Sequence, residues 1–228
     1  MTVGVYDPRL SRYAITDQAS AGGRTDASVV ADLIAGGCTC LQYRAKKATA
    51  RERWRTALAL RGLTRDAGVM FIVNDRIDLA LDCGADGVHL GQDDAPVEAA
   101  RALARGAGRE AFLVGLSTHS PEQARAAAAA GEGRPDYIGC GPVFDTRTKE
   151  NNVPAICIAA LREVLASVDL PVVAIGGIRG DRLESVAAAG ALHCAVVTAL
   201  TGAPDVAAAS RSVWGAWTRL THPLGARA

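Results

Sequence analysis

The sequence predicts a single-domain α/β protein, a (β/α)8 (TIM) barrel over residues 13–220, with residues 1–12 as an N-terminal extension and 221–228 as a C-terminal tail. Three observations predict it. Eight short apolar runs alternate with longer amphipathic segments along almost the whole chain. The short runs are continuously apolar, as expected of parallel strands covered on both faces. Polar and charged residues gather at one end of those runs, where barrels of this kind keep their chemistry.

The strands are expected near 13–16, 38–43, 69–73, 86–89, 112–116, 137–140, 172–175 and 194–197. Helix punctuation lies between them. Val29, Val30, Leu33 and Ile34 recur at helical spacing and stop at Gly36-Gly37. Trp54, Ala57, Leu58 and Arg61 mark a second helix that ends near Gly68, where glycine can take a left-handed cap. Ser120-Pro121-Glu122-Gln123 supplies an N-cap, a proline at the first helical position and a capping-box partner. The alanine run 126–130 continues that helix, and Asp181-Arg-Leu-Glu184 is expected to open a later one. Eight such units without a break in composition close a barrel. An open doubly wound sheet is the alternative, weakened in its dinucleotide-binding form because no G-x-G-x-x-G follows the first strand.

Composition limits what the domain can do. Apolar residues make up 49% of the 228, but aromatic ones only 4%, which suits closely packed helices around a sheet. The formal charge of +1 argues against a nucleic-acid-binding surface, so anion binding must be local. The six cysteines include no C-x-x-C pair and several sit in apolar runs, as buried hydrophobes in a reducing compartment do. The first residues lack the basic and apolar regions of a signal peptide, and no apolar stretch has the length of a membrane span. The expectation is a cytoplasmic protein acting on small molecules, with no nucleic-acid or membrane partner and with oligomeric state left open.

The strand ends carry the candidate site. They read Gln42-Tyr-Arg44-Ala-Lys46, Asn74-Asp75-Arg76, His89-Leu-Gly-Gln-Asp93-Asp94, Ser117-Thr-His119, Thr146-Arg147-Thr148-Lys149, Gly176-Gly177 and Val197-Thr198. Gln42, Arg44 and Lys46 alternate, so they share one face of an extended segment. A guanidinium grips phosphate bidentately while an ammonium acts as a point charge; a solvated charged loop is the plainer reading of the same three residues. Of 25 basic residues only three are lysines, Lys46, Lys47 and Lys149, and all fall in strand-end loops.

Asp75 and Asp94 end successive strands, the arrangement of one or two carboxylates that Mg2+ takes when phosphate and water complete its shell. Asp93 is the rival ligand, or a cap for the helix beyond Pro96. Helix capping or pairing with Arg76 is the structural alternative for either aspartate. His89 and His119 are candidate acid–base groups, a packed and hydrogen-bonded role being the plainer reading of His89; His193 and His222 have no supporting context. Gly176-Gly177 and Val197-Thr198 flank the position where such barrels bind phosphate.

In combination and order, these motifs resemble the thiamine phosphate synthase family from about Tyr13 to Leu220, with Gly115-x-Ser117, Gly141-Pro142 and Ile175-Gly-Gly-Ile178 included. The resemblance implies Mg2+-dependent condensation of 4-amino-5-hydroxymethyl-2-methylpyrimidine diphosphate with a thiazole phosphate, giving thiamine phosphate and pyrophosphate. It implies that Gln42, Arg44, Lys46, Asn74, Ser117 and Lys149 hold the diphosphate substrate, with Arg44, Lys46, Ser117 and Lys149 closest to the reaction. It implies Mg2+ on Asp75 and Asp94, and thiazole phosphate on Thr146, Arg147, Thr148, Gly177, Val197 and Thr198. Ala45, the stretch Glu150-Asn151-Asn152 and Leu192-His193 depart from the family pattern. The rivals are a thiazole tautomerase of the same broader family, another phosphate-binding barrel such as a sugar-phosphate epimerase, and a non-catalytic phosphate-ligand-binding barrel.

Overall fold

Eight parallel strands close on themselves in chain order, so that the first pairs with both the second and the last. They are β1 (Arg12–Ile15), β2 (Cys40–Tyr43), β3 (Met70–Asn74), β4 (Gly87–Leu90), β5 (Leu113–Thr118), β6 (Tyr137–Cys140), β7 (Val172–Ala174) and β8 (His193–Val196). Each falls within two residues of its expected position. The computed structural model describes residues 5–146 and 154–222.

Successive side chains on a strand face opposite sides, and the barrel uses both. One set packs against the helices: Leu41, Tyr43, Phe71, Val73, Val88, Leu90, Val114, Ile138, Ala174 and Val196 belong to the large outer core. The other set fills the barrel: Tyr13, Ile15, Cys40, Met70, Ile72, Tyr137, Val173 and Ala195 form a separate inner cluster. Two buried layers explain why the strands read as unbroken apolar runs.

The helices are α1 (Asp26–Ala35), α2 (Ala50–Asp66), α3 (Ile77–Asp82), α4 (Val97–Gly106), α5 (Pro121–Ala128), α6 (Cys157–Ser167), α7 (Leu183–Ala188), α8 (Thr198–Thr201) and α9 (Val206–Thr221). Ser120 caps α5 by accepting from the Gln123 N–H at 3.2 Å. The Gln123 side chain answers by accepting from the His119 N–H at 2.7 Å, one residue before the cap itself. Helix α5 stops at Ala128, short of the full alanine run, and a 3-10 turn at Gly131–Gly133 follows.

Two helix expectations need correction. Asp181 caps nothing: its carboxylate takes the Arg179 guanidinium at 2.8 Å, and α7 begins after a 3-10 turn without a side-chain cap. Asp93 likewise leaves α4 uncapped, the N-cap there being Pro96. On α2 the buried stripe is Ala57, Leu60 and Thr64, whereas Trp54 and Leu58 face outward and Trp54 donates its indole N–H to Asp82.

Residues 5–12 close the N-terminal end of the barrel. Leu10 is buried in the inner cluster, and Arg12 already pairs with Cys194 in the sheet, one residue before the expected start. Asp7 donates its backbone N–H to His193 Nε2 at 2.9 Å, while Nδ1 of the same ring lies 3.2 Å from the Val172 carbonyl. Tyr6 stacks on that imidazole at 5.5 Å. His193 is therefore a buried neutral tie between the chain start and β8. At the other terminus α9 runs through Thr221, the first residue of the expected tail.

Candidate active site

At the opposite end of the barrel, where the strands finish, a cavity of about 640 Å3 opens between the loops. Gln42, Arg44, Asn74, Ser117, Thr146, Gly177, Val197 and Thr198, all expected site residues, line it. Eight residues from six strand ends thus share one cavity because parallel strands point all their C-terminal ends the same way.

The floor is a chain of polar side chains inside the barrel. Gln42 donates its amide N–H to Tyr13 Oη at 2.8 Å. Tyr13 Oη lies 2.9 Å from Tyr137 Oη, which lies 3.1 Å from His89 Nδ1. His89 Nε2 lies 3.0 Å from Ser117 Oγ. The chain draws on β2, β1, β6, β4 and β5 in turn. Burial pushes both phenols well above their ordinary pKa, so they are neutral hydrogen-bonding groups. Gln92 donates to the Ser117 carbonyl at 2.6 Å and holds the β4–α4 loop to β5.

Arg44 reaches the cavity beside Asp17, at 3.4 Å, and both side chains are largely covered. Its backbone N–H bonds Thr16 Oγ1 at 2.9 Å, fastening the end of β2 to that of β1. Lys46 is exposed one alternation further on. The loop that carries it is held by Arg53, which donates to the Ala45 and Lys46 carbonyls at 2.7 and 3.1 Å. Lys46 lines a second, smaller cavity of about 230 Å3 together with Asn74, Asp75 and Arg76. Asn74 borders both cavities.

Asp75 stands at φ 64° directly after β3, a left-handed turn that aspartate tolerates better than most residues. Its N–H bonds the His89 carbonyl at 2.9 Å. Burial first, and then the facing Asp94 carboxyl within hydrogen-bonding reach, push its pKa up to about 6; Lys46 and Arg44 pull in the opposite direction. The exposed Asp94 carboxylate accepts from the Gly91 N–H at 2.6 Å. Two carboxyls in this relation repel when both are ionised, which is the chemistry of a cation site. No cluster of three or more metal-binding side chains occurs among the described residues, so phosphate and water oxygens would have to complete such a site. Asp93 is exposed. Arg76 pairs with Asp78 and not with either aspartate.

The other wall follows β7 and β8. Gly176 and Gly177 have φ of 99° and 65°, and a Cβ on Gly176 would stand 2.4 Å from Pro142 Cα. Glycine is required there on both counts, and it exposes backbone to the cavity. Arg182 also lines this wall, donating to the Gly177 carbonyl at 2.6 Å and lying 4.6 Å over the Phe144 ring. Val197 forms the N-cap of α8. The far end of α8 is clamped by Arg24, which donates to the Thr201 and Ala203 carbonyls at 2.7 and 2.9 Å. Arg147, Thr148 and Lys149 lie outside the described residues. His119 lines the main cavity and bonds the Gly141 carbonyl through Nδ1.

Sequence reasoning missed Tyr13, Tyr137, Asp17 and Arg182. The two tyrosines were hidden by apolar neighbours on β1 and β6. The available signal was a phenol in each of two strands that must face one another across a small barrel, each hydroxyl needing a buried partner.

A family model for thiamine monophosphate synthase matches residues 12–200. The chain is 44% identical over 205 residues to a thiamine-phosphate synthase of Methanoregula boonei, covering 90% of this chain and 92% of that protein. It is 45% identical over 201 residues to one of Chloroflexus aurantiacus, covering 88% and 89%. The solved structure of a thiamine phosphate pyrophosphorylase from Pyrococcus furiosus superposes with a TM-score of 0.83 at 36% identity, covering 93% of this chain and 97% of that one. Similarity to a 3-hexulose-6-phosphate synthase, at TM-score 0.60 and 15% identity, extends to the fold alone. With its closed barrel, its strand-end cavity and these relatives, the chain belongs to the thiamine monophosphate synthase family.

Proposed function

We propose that the protein condenses 4-amino-5-hydroxymethyl-2-methylpyrimidine diphosphate with a thiazole phosphate, forming thiamine phosphate and pyrophosphate. The observation that carries the reading is one cavity with two unlike walls: Gln42, Arg44, Asn74 and Ser117 on one, and the Gly176-Gly177 turn with Val197 and Thr198 on the other. Two ligands can therefore meet inside it, one placed by side chains and one by backbone N–H groups.

Cleavage of the pyrimidine methylene carbon–oxygen bond leaves negative charge on pyrophosphate. Arg44 and Lys46, with Lys149 by family resemblance, stabilise that charge. The half-buried Asp75, on the smaller cavity, and the exposed Asp94 facing it fit a Mg2+ ion as paired carboxyls, and the ion would supply further Lewis-acid stabilisation of the leaving group when bound. The aminopyrimidine ring delocalises the positive charge left on its methylene carbon. The thiazole nitrogen attacks that carbon without first losing a proton, so no strong general base is required. Gln42 and Ser117 orient the pyrimidine, and Thr146, Gly177, Val197 and Thr198 hold the thiazole phosphate.

The test is to incubate purified protein with both substrates and Mg2+ and to follow products by mass spectrometry. Thiamine phosphate in equal amount to pyrophosphate supports the proposal. Isomerisation of the thiazole phosphate without condensation would replace it with the tautomerase reading.

A further inference from the structure

We infer that Tyr13, Tyr137 and His89 are positioning residues: a one-way hydrogen-bond relay from Gln42 holds His89 as its Nε2–H tautomer and directs the Ser117 hydroxyl proton into the cavity. The relay is read from geometry alone. The identity of the acceptor it serves rests on the proposed synthase reaction.

The direction follows from counting protons. The Gln42 amide places its N–H, not its carbonyl, on Tyr13 Oη at 2.8 Å. A phenol has one proton. Tyr13 receives from Gln42, and its own proton goes to Tyr137 Oη, 2.9 Å away, a stronger acceptor than the Cys40 thiol that is the other group in its reach. Tyr137 in turn donates to His89 Nδ1 at 3.1 Å. A neutral imidazole that accepts at Nδ1 carries its proton on Nε2, and that N–H faces Ser117 Oγ at 3.0 Å. Ser117 accepts from His89, and its own proton is left for another acceptor. Ser117 lines the cavity, so that acceptor is a ligand atom.

Turning the Gln42 amide over would reverse every bond. Tyr13 would donate to Gln42, His89 would carry its proton on Nδ1, and Ser117 would donate to His89. The serine would then meet a ligand only as an acceptor. One amide at the far end of the relay thus decides what Ser117 offers four hydrogen bonds away.

The surroundings protect the relay. Gln42, Tyr13 and Tyr137 are each at most 4% exposed, so water does not compete for their hydrogen bonds. A Cβ on Gly115 would stand 2.5 Å from His89 Nδ1 and 2.5 Å from Tyr137 Oη, so the glycine leaves the space in which they meet. A donor fixed before the substrate arrives needs no reorganisation on binding. An acceptor atom of the pyrimidine diphosphate complements it.

The first test needs no substrate. Two-bond 1H–15N correlation spectra of protein labelled at histidine, assigned with a His89→Gln variant, report which ring nitrogen carries the proton. The relay predicts a neutral Nε2–H tautomer for His89 in the unmodified protein and its partial loss in Tyr137→Phe. An Nδ1–H tautomer in the unmodified protein would overturn it, whatever reaction the protein catalyses. The second test is kinetic. Tyr13→Phe should lower kcat/KM for the pyrimidine diphosphate about tenfold while KM for the thiazole phosphate stays unchanged. Equal losses for both substrates, with the melting temperature unaltered, would count against a positioning role. If no thiamine phosphate forms but the Nε2–H tautomer is found, the synthase reading fails and the relay stands.

Discussion

A Cβ on Gly115 would stand 2.3 Å from Cζ of Tyr137, so the phenol occupies space that only glycine on the neighbouring strand leaves open. Gly115→Ala should therefore overpack the barrel interior, destabilising the fold by roughly 1–3 kcal/mol. It should also part Tyr137 from His89, so turnover should fall further than the lost stability accounts for. Urea melts and kcat/KM measured below the melting range check both halves. A fully active, fully stable variant would mean that the interior is looser than described.

His193 gives the fold a pH dependence of definite sign. Burial lowers its pKa from the ordinary 6.5, and its Nε2 already accepts the Asp7 N–H, so a second proton on the ring would displace that bond. The unfolded chain therefore binds a proton at a pH where the folded protein does not. Stability should rise with pH between the lowered folded value and 6.5, and level off above it. The contribution is lost as pH falls through that window. Chemical denaturation at several pH values, compared between the protein and His193→Asn, should show a shallower slope in the variant.

Arg44 should not be replaceable by lysine. The guanidinium lies within 3.4 Å of Asp17 and lines the cavity, and its planar fork can serve a carboxylate and a phosphate together. Arg44→Lys is expected to raise KM for the diphosphate substrate by about ten- to a hundredfold, the worth of one or two charge-assisted hydrogen bonds. Arg105→Lys, on exposed α4, should leave it unchanged. Steady-state kinetics on the two variants make the comparison.

The strands were legible because a parallel barrel buries both faces, and continuous apolar runs such as Met70–Val73 have no other common explanation in a chain of this size. The polar ends of those runs were legible for the same reason: Gln42, Asn74 and Ser117 interrupt apolarity where each strand finishes. Two kinds of information were not. Inner and outer faces of a barrel strand are both apolar, so Tyr13 and Tyr137 read as ordinary core until the closed sheet sets their hydroxyls 2.9 Å apart. Loop side chains follow no period, so the pairing of Asp17 with Arg44 across 27 residues, and of Asp181 with Arg179, depends on geometry that spacing does not carry. On α2, Trp54 and Leu58 share the helical spacing of the buried residues but lie one step around the helix from them. Helical spacing alone therefore marks the helix and leaves its buried face undecided.

The most direct test of the account is the rate of pyrophosphate release with both substrates present, measured against Mg2+ concentration in the protein and in Asp75→Asn. Asp75 and Asp94 face one another beside the smaller cavity, and burial and mutual repulsion push the Asp75 pKa to about 6, so a divalent cation should relieve the pair and reach the leaving group. The predicted result is release that requires Mg2+ and both substrates, and that falls by about a hundredfold or more in Asp75→Asn without loss of fold. Equal rates and equal metal dependence in the two proteins, or release from the pyrimidine diphosphate alone at the full rate, would contradict it.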